Sequence, residues 1–149
     1  MRNFKSLKGE DDWILAGELH VIGTPKAQPR VKGCIRGQHA AIYTPGTANG
    51  WKDTIRLTAA SLAGRELTSP IYLQAKIILP RPKARRKDYY VVTRPDIDNL
   101  LKAIMDVLSQ VRVWHDDAQV VRLEAEKIYQ AEDLACGAEI EIYEGVEDE

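Results

Sequence analysis

Two aspartates stand two residues apart in Arg94-Pro95-Asp96-Ile97-Asp98-Asn99-Leu100-Leu101-Lys102, with the lysine four residues after the second acid. A second acidic pair closes Val113-Trp114-His115-Asp116-Asp117. Clustered carboxylates repel one another, and a hard divalent cation, Mg²⁺ or Mn²⁺, relieves that repulsion through oxygen ligation. Mg²⁺ keeps several waters, so a few anionic side chains from two segments suffice to hold it. Asp96 and Asp98 are read as metal ligands, Asp117 as the third, and Asp116 as an auxiliary ligand or a support behind it. In phosphodiester hydrolysis such a cation neutralises charge building on the phosphate and acidifies a water. Lys102, one helical turn beyond Asp98, is spaced to reach a phosphate oxygen or orient the attacking water. A plainer reading stays open. Asp96 caps a helix, Asp98 and Lys102 form a surface pair worth about 0.3–0.5 kcal/mol, and Asp116-Asp117 is only a turn.

These residues need a scaffold. Pro95 disfavours helix at the residue before it, and a helix can start just after. From Asp96 to about Ser109, Ile97, Leu100, Leu101, Ile104, Leu108 and Val111 repeat at helical spacing, which predicts one apolar face. Alternation predicts strands over residues 13–22, 70–79, 119–129 and 134–143, and a short one over 39–44. A helix is expected over residues 50–62, capped by Thr47 or Asn49, with Trp51, Ile55, Leu57 and Leu62 as its apolar side and Gly64 as its stop. Residues 25–38, with Pro25, Pro29, Gly33 and Gly37, read as a loop. The order β-β-α-β-α-β-β gives an α+β fold, a mostly antiparallel sheet with two main helices packed on it. The last two strands are close enough in sequence for an antiparallel hairpin.

The 149 residues are expected to form one domain, with residues 1–12 as a loose lead-in and 145–149 as an acidic tail. The 29% charged and 44% hydrophobic content is ordinary for a globular chain. Net charge is −1, yet the charge is unevenly spread. Residues 24–52 carry Lys26, Arg30, Lys32, Arg36 and Lys52 without an acid. Residues 81–94 carry Arg81, Lys83, Arg85, Arg86, Lys87 and Arg94 against Asp88 alone. Residues 124–149 hold ten acids against Lys127. Basic side chains suit phosphates, and Tyr89 and Tyr90 suit stacking on unpaired bases, so both basic loops are candidate DNA contacts. Solvated charged loops are the competing reading.

Several classes are excluded. Cys34 and Cys136 have no nearby cysteine partner and read as reduced thiols, with no zinc site. No apolar run approaches a membrane span, and the N-terminus lacks a signal-peptide core, so the expected location is the cytoplasm. No serine or cysteine has a histidine-plus-acid partner pattern, and no glycine-rich phosphate loop occurs. That absence argues against a transferase that uses the paired aspartates as a metal–nucleotide site. Trp114 reads as a core residue anchoring the acidic turn.

Residues 94–103 together with Asp106, Leu108 and residues 113–120 resemble the RusA family of Holliday junction resolvases. Pro25-Lys26-Ala27-Gln28-Pro29-Arg30 and Tyr43-Thr44-Pro45 are similar to the family's N-terminal segments. The resemblance spans about residues 15–143. It implies a small α+β homodimer that cuts four-way DNA junctions with Mg²⁺, in recombination and repair. By position, the family's acidic site falls on Asp96, Asp98 and Asp117, and its essential lysine on Lys102. Two-fold symmetry of a junction fits a dimer that carries one site per subunit. The reading from another class is a branched-DNA-binding protein that never cuts.

Overall fold

The computed structural model describes residues 12–29, 32–37, 39–43 and 46–146. Six strands and two α-helices appear among them: β1 (Trp13–Ile22), β2 (Lys32–Arg36), β3 (His39–Tyr43), α1 (Asn49–Thr58), β4 (Ile71–Leu79), α2 (Ile97–Gln110), β5 (Val120–Tyr129) and β6 (Gly137–Gly145). Short 3-10 turns follow α1 at Ala59–Ser61 and precede β5 at Asp117–Gln119. The α+β class expected from sequence holds.

Four strands form one sheet in the order β1-β6-β4-β5, and β2 and β3 form a separate two-stranded ribbon. β6 pairs antiparallel with both β1 and β4, whereas β4 and β5 run parallel. The expected hairpin between the last two strands does not form. A parallel pair needs a crossover, and α2 supplies it between β4 and β5. β6 then passes over to the other side of β4, about 10 Å from β5, on the connection after Tyr129. The expected loop at residues 25–38 is also corrected, because its second half forms β2. Gly37, at φ 62°, provides the left-handed turn into β3.

The core explains why α2 sits where it does. Leu100, Leu101, Ala103, Ile104, Val107 and Leu108 are buried, with Ile97 and Val111 at the margins. They share one cluster with Ile71, Leu73, Ala75, Ile77 and Leu79 of β4 and Ala138, Ile140 and Ile142 of β6. Burying each such leucine or isoleucine contributes about 1.5–3 kcal/mol. From α1, Trp51 and Ile55 join the cluster, with Leu62 beyond it. Leu57, expected on that face, is exposed instead. α1 begins at Asn49 behind Ala48, with no side-chain cap from Thr47 or Asn49.

β6 begins at Gly137, later than the expected residue 134. A Cβ there would lie 1.8 Å from the carbonyl oxygen of Val21, and φ is 151°, so only glycine lets β6 close onto β1. Both helices lie on one face of the sheet. The other face carries Gln74, Lys76, Glu124, Glu126, Glu139 and Glu141 around a shallow pocket of about 460 Å³. Among the described residues no helix is long and apolar enough to cross a membrane.

Candidate active site

Asp96 occupies the N-cap position of α2, with extended backbone at φ −72° and ψ 142°. Its main-chain oxygen accepts the first helical bond from Leu100 N–H at 3.1 Å. Its carboxylate, contrary to the capping expected from sequence, accepts no hydrogen bond from the first turn. Asp98 lies within that turn and accepts from the N–H of Asn99 at 2.9 Å. Both carboxylates are exposed, as is Lys102. The surface pair between Asp98 and Lys102 is not made. The ion pairs among the described residues join Lys52–Asp106, Arg56–Asp53, Arg85–Asp88 and Arg112–Glu66, and His20 Nε2 lies 3.6 Å from Glu18. The start of α2 therefore presents two exposed acids and, one turn beyond Asp98, an ammonium without an ion-pair partner among the described residues.

The entry to this turn is held from β5. Lys127 Nζ donates to the carbonyl oxygens of Thr93 at 2.9 Å and Pro95 at 2.8 Å. The main chain of Lys127 accepts from Val91 N–H at 3.1 Å, and Tyr129 N–H donates to Tyr89 O at 3.0 Å. On the other side, Gln28 N–H donates to Asn99 O at 2.9 Å, bringing the first basic loop against α2. Ala27, Arg94, Pro95, Asp96 and Asn99 line an open pocket of about 560 Å³.

The second acidic pair is fixed by different forces. Asp116 caps the 3-10 turn, accepting from Ala118 N–H at 2.8 Å. Gln119 Oε1 accepts in return from the N–H groups of His115 at 2.8 Å and Asp116 at 2.9 Å. Gln119 Nε2 ties the turn to the lead-in of β4 by donating to Leu67 O at 2.8 Å and Ser69 O at 3.1 Å. Trp114 is wholly buried, and its Nε1–H donates to Asp117 Oδ1 at 3.0 Å. The tryptophan thus anchors the acidic turn as the sequence suggests. Burial pushes the Asp117 carboxyl above the usual carboxylate range. The Trp114 bond opposes this, while the negative charges of Asp106 and Asp116 add to it.

The two pairs do not meet in one chain. Asp117 neighbours Asp106 and Ser109 in the second half of α2. Asp98 and Asp106 are separated along the helix axis by about 12 Å. Among the described residues, no three histidine, cysteine, aspartate or glutamate side chains converge as a metal site. The donor chemistry of the first turn nevertheless suits Mg²⁺ or Mn²⁺: two hard carboxylates, one of them without a capping bond.

The basic residues divide by duty. Arg81 is turned inward. Its guanidinium donates to the carbonyl oxygens of Gln130, Arg85 and Asp88, and it lies 5.2 Å from the Tyr129 ring. Arg85 pairs with Asp88 at 3.2 Å. Lys83, Arg86, Lys87 and Arg94 are exposed around the same loop, and Lys26 and Lys32 on the first basic segment. Arg30 lies outside the described residues. Tyr89 and Tyr90 are about half exposed and meet edge-to-face at 4.8 Å.

Three contributors escape a reading by motif: Lys127, Gln119 and the Lys52–Asp106 pair, 3.8 Å apart between α1 and α2. Lys127 has a sequence signal, since it is the sole base in an acidic stretch. Gln119 has one as well, three residues after the capping Asp116.

Comparison with known proteins accords with this geometry. The family model described as Endodeoxyribonuclease RusA matches residues 23–143, a span that takes in both acidic pairs, Lys102 and both basic loops. An uncharacterized protein, YqaN, of Bacillus subtilis (strain 168) is 30% identical over 124 residues, covering 75% of this chain and 87% of the relative. The crossover junction endodeoxyribonuclease rusA of Lactococcus phage r1t is 33% identical over 63 residues, 42% of this chain and 48% of the relative. With a match that extends from the end of β1 to the last strand of the sheet, the chain belongs to the RusA family of endodeoxyribonucleases.

Proposed function

We propose that this chain is a Mg²⁺-dependent endodeoxyribonuclease that resolves four-way DNA junctions by paired symmetric cuts, as a homodimer acting in the cytoplasm in recombination and repair. The observation that carries this is the first turn of α2. Asp96 stands at its mouth with a carboxylate free of capping, Asp98 is exposed in the same turn, and Arg94 lines one pocket with Asp96. Asp96 and Asp98 would hold Mg²⁺, which when bound neutralises charge on the scissile phosphate and acidifies a water. Mn²⁺ would substitute. Lys102 is unpaired among the described residues and within a turn of Asp98, so it is free to hold a phosphate oxygen or orient the water. Lys26, Lys32, Lys83, Arg86, Lys87 and Arg94 bind the backbone, and Arg30 is assigned there by sequence. Arg81 and Arg85 shape the loop as much as they add charge.

Asp117 is the third acid, with Asp116 holding its turn. One chain keeps Asp117 toward the far half of α2, so a two-fold dimer supplies the third carboxylate of each centre from the second subunit. Charge favours DNA on the helical side, because the opposite sheet face carries Glu124, Glu126, Glu139 and Glu141.

The test is a labelled four-way junction incubated with Mg²⁺. The natural chain is expected to give paired nicks at symmetric positions. Asp98→Asn is expected to bind the junction and leave it uncut. Binding without nicks by the natural chain would favour the non-cleaving junction binder, and wild-type cutting by Asp98→Asn would remove the metal assignment.

A further inference from the structure

We infer that Lys127 is a positioning residue for the first turn of α2, acting on metal binding through the main chain of residues 93–96. The inference rests on the nuclease reading above.

Lys127 lies on the helix-bearing face of the sheet, opposite Ile77 of β4 in the parallel register. That position in a strand normally carries an apolar residue, as Ala125 and Tyr129 do on either side. A lysine there is useful only if its ammonium finds acceptors at the rim. It finds two, Thr93 O at 2.9 Å and Pro95 O at 2.8 Å, which flank Arg94 and lead directly into Asp96. The same residue's carbonyl takes the N–H of Val91. Side chain and main chain of one residue thus fix the incoming segment at Val91, Thr93 and Pro95.

The clamp matters for Asp96 in particular. A capping aspartate is ordinarily oriented by bonds from its own helix. Asp96 has none, so its carboxylate direction depends on where the preceding peptide is placed. Proline at 95 has no N–H and offers only its carbonyl to hold that peptide in place. Lys127 takes that carbonyl. An ammonium gives short charge-assisted bonds to two carbonyls at once, which a neutral side chain of similar length cannot. The device resembles the outer-shell partners that orient metal ligands, whose loss costs roughly 10–100-fold in metal affinity or activity.

The experiment compares Lys127→Met, which keeps the length and loses the donors, with Lys127→Arg, which keeps two donors and the charge. Mn²⁺ binding is followed by electron paramagnetic resonance, junction binding is measured in metal-free buffer, and cleavage is measured across a Mn²⁺ titration. Lys127→Met is expected to weaken Mn²⁺ binding and raise the Mn²⁺ needed for half-maximal cleavage, each by about 10–100-fold. Metal-free junction binding should stay at the wild-type level, and Lys127→Arg should recover most of the loss. Wild-type Mn²⁺ affinity in Lys127→Met overturns the inference. So does a parallel loss of metal-free junction binding, or a failure of Lys127→Arg to restore Mn²⁺ affinity. Asp98→Asn separates the two proposals. If it still cuts at the wild-type rate, the assignment of the metal to the first turn of α2 falls. If it is inert while Lys127→Met behaves as wild type, only the positioning role falls.

Discussion

Replacing Trp114 with phenylalanine removes one hydrogen bond and part of one ring from a fully buried site. The bond runs from Nε1 to Asp117 Oδ1 at 3.0 Å. Hydrogen bonds to charged partners contribute about 1.5–3 kcal/mol, and the partial exposure of Asp117 puts this one near the lower end, about 1.5 kcal/mol. The ring atoms lost from a residue with 0% exposure leave a small void worth about 1 kcal/mol more. The sum, about 2.5 kcal/mol, corresponds to a fall in Tm of roughly 5–10 °C for a chain of this size. Calorimetry reads the total. A double-mutant cycle of Trp114→Phe with Asp117→Ala isolates the bond, and chemical denaturation of the four species should give a coupling of about 1.5 kcal/mol. A coupling below about 0.5 kcal/mol would mean that Asp117 is held by its turn alone, and the account of Trp114 as its anchor would be refuted.

Two further outcomes are expected. On the proposed two-fold dimer, Asp98→Asn and Asp117→Asn are each expected to be inactive alone, whereas subunits mixed and allowed to exchange should regain part of the junction cleavage, because one proposed centre of the mixed dimer would keep all its acids. A mixture as inactive as its components would place the third acid in the same chain. Tyr143 is pushed up to about 12, first by its hydrogen bond to the Glu141 carboxylate and then by burial. The folded state holds this proton more tightly than the unfolded chain, so the stabilisation is complete below about pH 10 and is lost as pH rises through 12. Absorbance at 295 nm, differenced against Tyr143→Phe, should show that late transition, and Glu141→Gln should return it toward the ordinary tyrosine value. A midpoint near 10 in the unaltered chain would contradict the bond.

The elements of this protein were legible in its sequence because each one's pattern is local. The period of Ile97, Leu100, Leu101, Ile104 and Leu108 specifies a helix with one buried face, whatever it packs against. Alternation over β4 likewise names its inward side. The ribbon strand β2 was missed because five residues containing Gly33, between two prolines and Gly37, carry too little alternation to stand out. Sequence also located both acidic pairs, the lysine after the first, and the two basic loops.

Tertiary structure decided the rest. Alternation is the same in parallel and antiparallel strands, so nothing local could reveal that α2 carries β5 to the far side of β4, or that β6 goes between β4 and β1. Distance between acids is a property of the packed chain too. Residues 98 and 117 belong to one motif, yet the helix between them holds its two ends apart, and Asp117 settles beside Asp106 and Trp114. Lys127 shows the same limit. Its type and its solitude among acids are visible in the sequence, but its two carbonyl partners lie about thirty residues upstream and meet it only once the segment leading into Asp96 lies against β5. The sequence by itself determined which groups are available for chemistry. Packing determined which of them stand together, because side-chain proximity across elements is set by strand order and helix rise, and neither is written in any single segment.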